Sequence, residues 1–183
     1  TQSIDIFQLN SWIDLMNTFP QYVPDEILAL LKEISIDEKH QILQVVNELG
    51  SGKISEPTNI DGALALIKNR TPQLFTRLQK INATFSEQFD KLRPATRNKV
   101  LEWGKLLFQN FNKKFDNEIK AKMQPLKVVS SILNSYKQQS KKLKDDLRSV
   151  FPKIVALFES DFLKLVMTQM QLQLSVAQLL KPG

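Results

Sequence analysis

The sequence predicts an all-α protein of one domain, and three observations carry that prediction. Glycine is scarce, at 5 of 183 residues, while Leu, Lys, Gln and Ile are abundant, a composition that favours helix over turn-rich β structure. Pro24, Pro72, Pro94, Pro125 and Pro152 each open an apolar segment of helical spacing, where a residue without an N–H costs least. No stretch of useful length alternates as a half-buried strand would, and no internal repeat is visible. Eight to eleven helices of unequal length are expected in residues 1–183. At that length a core can be buried without covalent cross-links.

Pro24 sits in the first turn of DEILALLKEI. Ser35-Ile36-Asp37-Glu38 reads as a capping box for the next helix, and Gly50-Ser51-Gly52 stops it. A short helix follows Thr58, over 59–68. From Pro72 to Leu92, Leu74, Leu78, Ile81, Phe85 and Leu92 form a stripe at spacings of three, four and seven, widened by Phe75 and Phe89. From Pro94 to Met123 a stripe runs through Leu101, Gly104, Phe108, Phe111, Phe115, Ile119 and Met123, with a second line at Val100, Trp103 and Leu107. A helix apolar on more than one side sits between layers. Pro125 is read as the start of the next helix. Ser140 opens KKLKDDLRSV, Pro152 lies just inside the following turn, and a helix from Ser160 reaches about Leu180. Residues 165–180 contain no charged side chain.

Several chemistries are excluded. Without cysteine there are no disulfides, thiol nucleophiles or thiolate metal sites. A single histidine, His40, removes most hydrolase triads and zinc sites. Asp37, Glu38 and His40 cluster at a helix N-terminus, where acidic side chains serve the helix dipole. Glu159, Ser160 and Asp161 read as another helix start. Asp145 and Asp146 are paired without the cleft or raised pKa that glycoside hydrolysis needs. No catalytic residue, metal site or cofactor is therefore expected, and the chain reads as non-enzymatic.

The net charge of +6 conceals an asymmetry, with residues 1–66 at −7 and residues 67–183 at +13. A basic region attracts phosphates, anionic membranes or carboxylate ligands. No nucleic-acid-binding motif accompanies Lys113, Lys114, Lys141, Lys142, Lys144 and Arg148, and Asp145 and Asp146 interrupt the patch. A solvated, salt-bridged face is preferred, and nucleic acid is not expected as a partner. No run approaches the length of a transmembrane helix, and no signal-peptide pattern opens the chain. Asn69-Arg70-Thr71 and Asn82-Ala83-Thr84 are sequons that lend slight support to secretion.

The 11 phenylalanines pose the functional question. Stripes of Phe and Leu at helical spacing are usually plain core, and a ligand cavity is lined by the same residue types. Periodicity does not separate the two, and plain core is the favoured reading from the residues alone.

Over about residues 23–166 the order and spacing of landmarks resembles the nematode fatty acid- and retinol-binding proteins. VPDEILALLKEISIDEKHQIL, from Val23, resembles their N-terminal pattern, with Ile36 where the family often has Pro. Lys68 to Leu74 resembles their K-x-x-x-P-x-L helix start, and Leu92-Arg93-Pro94-Ala95-Thr96-Arg97 their L-x-P break. The most specific resemblance lies in Tyr136, Ser140, Lys144, Asp145, Leu147, Phe151-Pro152, Ile154, Phe158 and Phe162. QQSKKLKDDL and Leu157 are departures from the pattern. Residues 167–183 form a helical tail beyond it.

The resemblance implies a secreted, non-enzymatic carrier that holds fatty acids, and retinol, in an internal apolar cavity. It turns the stripes into candidate lining: Leu78, Ile81, Phe85, Leu101, Phe108, Phe111, Phe115, Ile132, Tyr136, Phe151, Val155 and Phe158. Burial of an acyl chain would drive binding at ~0.8 kcal/mol per methylene before ordering costs. Arg93, Arg97 or Arg148 is a candidate partner for the carboxylate, which is expensive to bury unpaired. Transient contact with membranes is compatible with this reading. The alternative is a helical interaction or peripheral membrane module that uses the uncharged C-terminal helix.

Overall fold

The structure is a computed structural model that describes residues 3–111 and 118–181, and within them all side chains but those of Ile60, Phe111, Glu118 and Lys122. Ten α-helices and one 3-10 turn, with no strand, make up the described residues, so the all-α prediction holds. The chain divides into two compact units, residues 1–87 and 88–183.

The first unit begins with α1 (Ile6–Thr18), whose start is set by a reciprocal capping box. The Gln8 N–H donates to Asp5 Oδ1 at 2.9 Å, and the Asp5 N–H donates to Gln8 Oε1 at 3.0 Å. A 3-10 turn (Pro20–Tyr22) leads to α2 (Asp25–Glu33) and α3 (Ile36–Gly50). The predicted capping box at Ser35 and Glu38 is present. Beyond α3, Gly52 takes φ +76, a left-handed conformation that glycine adopts without steric cost, and the Lys53 N–H returns to the Glu48 carbonyl at 2.9 Å. α4 (Ile60–Arg70) is capped by Asn59, one residue past the expected Thr58, and α5 (Pro72–Asp90) starts at Pro72 as expected.

α1 packs on α2 and α3, burying Ile13, Leu30 and Leu43. Polar clamps add to this packing. The Ile4 N–H donates to Asn47 Oδ1 at 2.8 Å, and the Asn47 amide donates back to the Ile4 carbonyl at 3.0 Å. The Glu38 carboxylate is buried and held by the Arg77 guanidinium of α5, while Glu48 of α3 pairs with Arg70 of α4.

The second unit contains α6 (Pro94–Phe111), α7 (Glu118–Gln138), α8 (Lys141–Val150), α9 (Pro152–Phe158) and α10 (Asp161–Leu180). α7 is its centre, with α6 and α10 packed against it; α8 packs on α6 and α9. Ser140 and Ser160 cap α8 and α10 as read from the sequence, each hydroxyl accepting an N–H at 3.2 Å.

The stripe expected from Pro94 to Met123 crosses residues 112–117, which lie outside the described residues; α6 is described to Phe111, and Met123 lies in α7. One sequence expectation needs correction. Pro125 does not open α7 but lies inside it. An internal proline removes one backbone hydrogen bond and costs about 3 kcal/mol. The packing of α7 against both α6 and α10, with Leu126, Val128, Ile132 and Leu133 buried, outweighs that loss.

Candidate functional site

The apolar centre of the second unit is built from five helices and the turn before α6. Leu92, Trp103, Val128, Ile132, Tyr136, Leu147 and Val155 are buried together, and Phe89, Val100, Leu106, Val150, Phe151 and Phe158 pack against them. Trp103, Tyr136 and Phe158 form an aromatic triangle. The Trp103 and Phe158 centroids are 6.0 Å apart with planes at 85°, and the Tyr136 and Phe158 centroids are 5.3 Å apart. Edge-to-face contacts of this kind add to the burial of area.

Each polar tip of the triangle has a partner. Trp103 Nε1–H donates to Ser135 Oγ at 3.0 Å, and the Tyr136 hydroxyl donates to Glu159 Oε1 at 2.6 Å. Burial, and then the Glu159 carboxylate, push the Tyr136 phenol well above its ordinary pKa. Lys144 Nζ lies 5.5 Å from the Tyr136 ring centroid and donates to the Lys137 carbonyl at 2.9 Å.

From Glu159 an ion-pair chain runs along the surface. Arg148 Nη2 reaches Glu159 at 2.7 Å, Arg148 Nη1 reaches Asp145 at 2.8 Å, and Lys141 Nζ reaches Asp145 at 2.8 Å. The hydrogen bond from Lys141, with the charges of Lys141 and Arg148, holds the Asp145 carboxyl below its usual range. The attraction of Glu159 raises the Arg148 pKa further. Beside this chain a charged depression of about 610 Å³ is lined by Arg93, Lys141, Lys142, Asp145, Asp146 and Ser149. Across its lining the Arg93 N–H donates to Asp146 Oδ2 at 2.9 Å.

The candidate lining residues fall into distinct settings. Ile132, Tyr136 and Val155 lie within the buried cluster, with Phe151 and Phe158 packed on it. Phe108 is half-buried on α6, and Leu101 on the same helix is 52% exposed. In the first unit Leu78 and Ile81 are half-buried on α5, and Phe85 is 44% exposed. Phe115 and the Phe111 side chain lie outside the described residues. Of the candidate carboxylate partners, Arg148 already holds Asp145 and Glu159. Arg93 is exposed and Arg97 half-buried, and among the described residues neither forms an ion pair.

Trp103, Leu147 and Glu159 were not among the sequence candidates, although Trp103 was visible on the second apolar line of α6. Glu159 was read as part of a helix start. Ser160 performs that task, and the exposed Glu159 accepts the hydrogen bond of the Tyr136 hydroxyl. Among the described residues no group of three or more His, Cys, Asp or Glu gathers as metal ligands. No helix among them is long and apolar enough to cross a membrane.

Comparison with known proteins bears on what this architecture is. A search of the curated proteins finds no match. Among solved structures, the Fatty Acid and Retinol binding protein Na-FAR-1 from Necator americanus is similar with a TM-score of 0.52. The two are 19% identical, and the match covers 80% of this chain and 90% of that one, so the likeness is one of fold. The family described as Nematode fatty acid retinoid binding protein (Gp-FAR-1) matches residues 17–170, which takes in nine of the ten helices in full or in part beyond α1 as well as the end of α1 itself. By that match, across most of its length, this chain belongs to the nematode fatty acid retinoid binding protein family.

Proposed function

We propose that this protein is a non-enzymatic carrier of fatty acids, and of retinol, acting as a secreted protein. The family match over residues 17–170 carries this reading. The aromatic and aliphatic interior of the second unit supports it, because an acyl chain needs apolar surface and little else. In that unit the acyl chain lies against Phe108, Phe151 and Phe158, with Ile132, Tyr136 and Val155 as a rigid backing. Leu101 flanks it nearer solvent, and Phe111 and Phe115 extend the same stripe. Leu78, Ile81 and Phe85 are the contacts proposed for the first unit. Arg93 and Arg97 are better partners for the carboxylate than Arg148, whose guanidinium would have to leave two carboxylates first. The carrier works as one lipid-binding domain, meets membranes only transiently and does not bind nucleic acid.

Organic extraction of the purified protein followed by mass spectrometry tests the reading directly. Co-purified long-chain fatty acids, and displacement of a fluorescent fatty acid by unlabelled ones, are the expected results. An empty extract together with no fluorescent uptake by the delipidated protein removes the carrier reading. Phe108→Asp, with its helix content intact by circular dichroism, is expected to lower affinity for the fluorescent probe at least tenfold. Unchanged affinity removes Phe108 from the lining.

A further inference from the structure

α10 is apolar on two opposite sides; among the described residues one side is packed and the other is exposed. Its inner side carries Leu163, Met167 and Leu174, buried or half-buried where α10 packs on α7 and α9. Gln178 on the flank of that side donates to Met123 Sδ at 3.6 Å. The outer side carries Leu165, Leu172, Val176 and Leu179, of which Leu172 is 64% and Leu179 86% exposed. At 3.6 residues per turn these four fall within roughly 60° of arc, half a turn away from Met167.

We propose that this outer stripe is a self-association seam, along which two copies of the chain pair through α10. Three observations select a second copy as the occupant. Leu165, Leu172 and Leu179 recur every seven residues, and Val176 stands four after Leu172, which is the a/d pattern of a two-helix seam. The missing a position between Leu165 and Leu172 is Gln169, exposed on the same stripe. A single polar residue at one a position is the device by which paired helices fix their register. A membrane-lying face is flanked by Lys and Arg. Here no charged residue occurs from 165 to 180.

Charge points the same way. A two-fold interface brings the same patch of both copies together, so a net charge on that patch is doubled within the interface. The chain carries +6 overall, yet the seam is neutral along its length. Two copies therefore meet on a surface where mutual repulsion is weakest. α10 is already folded against α7, so pairing does not have to nucleate the helix. The seam is short beside a standard interface of ~1,200–2,000 Å², which makes the association weak and dependent on concentration.

Sedimentation equilibrium of the full chain between about 1 and about 300 µM tests this, a range that brackets weak self-association. The weight-average mass is expected to rise from the 21.0 kDa monomer toward twice that value. Leu172→Glu, which places like charges across the two-fold, is expected to stay monomeric throughout with an unchanged circular dichroism spectrum. Gln169→Leu is expected to strengthen association at least tenfold. The chain has no cysteine, so Leu172→Cys supplies a single thiol near the middle of the stripe, and oxidation is expected to yield a covalent dimer. A wild-type chain that is monomeric at every concentration overturns the proposal. So does association that Leu172→Glu leaves intact or that Gln169→Leu leaves unaltered. A monomer that co-sediments with phosphatidylcholine–phosphatidylserine vesicles, and loses this through Leu172→Glu, assigns the stripe to lipid and equally overturns it.

Discussion

Tyr136 joins the packing of the second unit to its surface charges. Its ring is 2% exposed and packs on Trp103 and Phe158, while its hydroxyl reaches Glu159, which Arg148 also holds. The folded state therefore favours the neutral phenol, and its pKa is raised above the unfolded value of 10.0. A raised pKa means that the stabilisation is complete below the unfolded value and is lost as pH climbs above it toward the folded value. Urea unfolding of the wild type is expected to show a steeper loss of stability above about pH 10 than the Tyr136→Phe variant shows. Near neutral pH the variant is expected to be less stable by about 1.5–3 kcal/mol, the range for a hydrogen bond to a charged acceptor. Equal high-pH slopes for the two proteins would show that another group sets the alkaline limit. Arg148, Asp145 and Lys141 are a different matter. Their side chains are 45% to 90% exposed, and such pairs add little to stability.

At the scale of the element, what the sequence disclosed depended on whether the signal was local. Ser35 with Glu38, Ser140 and Ser160 each cap the helix they were read to cap, because a capping side chain acts within its own turn. The Leu and Phe stripes of α5 and α6 marked helices correctly, since the period is a property of the segment itself. Pro125 was misread because proline opening a helix and proline inside one look alike in a sequence. Only the packing on both sides of α7 distinguishes them. The same physics makes a prediction. Pro125→Ala restores the missing N–H to a helix that already exists, at the cost of a freer unfolded chain. The net effect is expected to be stabilising by about 1–2 kcal/mol, read as a higher midpoint in thermal unfolding. A lower midpoint would mean that the bend at Pro125 is itself needed for α7 to meet α6 and α10. The site was less legible than the fold. Which apolar residues end up buried, as Val155 is, and which exposed, as Leu101 is, depends on neighbours far away in sequence.

At the scale of the whole molecule, the compact units meet in sequence at residues 87 and 88, inside α5, while the family match runs unbroken from 17 to 170. A boundary within a continuous helix differs from a flexible linker, because unfolding one side exposes helix ends on the other. The two units are therefore expected to unfold as one domain. Two probes can compare them. Trp103 is buried in the second unit, and Trp12→Phe leaves it as the sole tryptophan. Far-UV circular dichroism reports the helices of both units together. In urea the fluorescence and dichroism transitions of Trp12→Phe are expected to coincide in midpoint and slope, the signature of two-state behaviour. A fatty acid at about a hundred times its Kd is expected to add about 2.7 kcal/mol and to move both transitions by the same amount. If the dichroism curve splits into two steps and only the Trp103 step moves with ligand, the units are separate domains. Lipid binding then belongs to the second unit, where the aromatic interior lies.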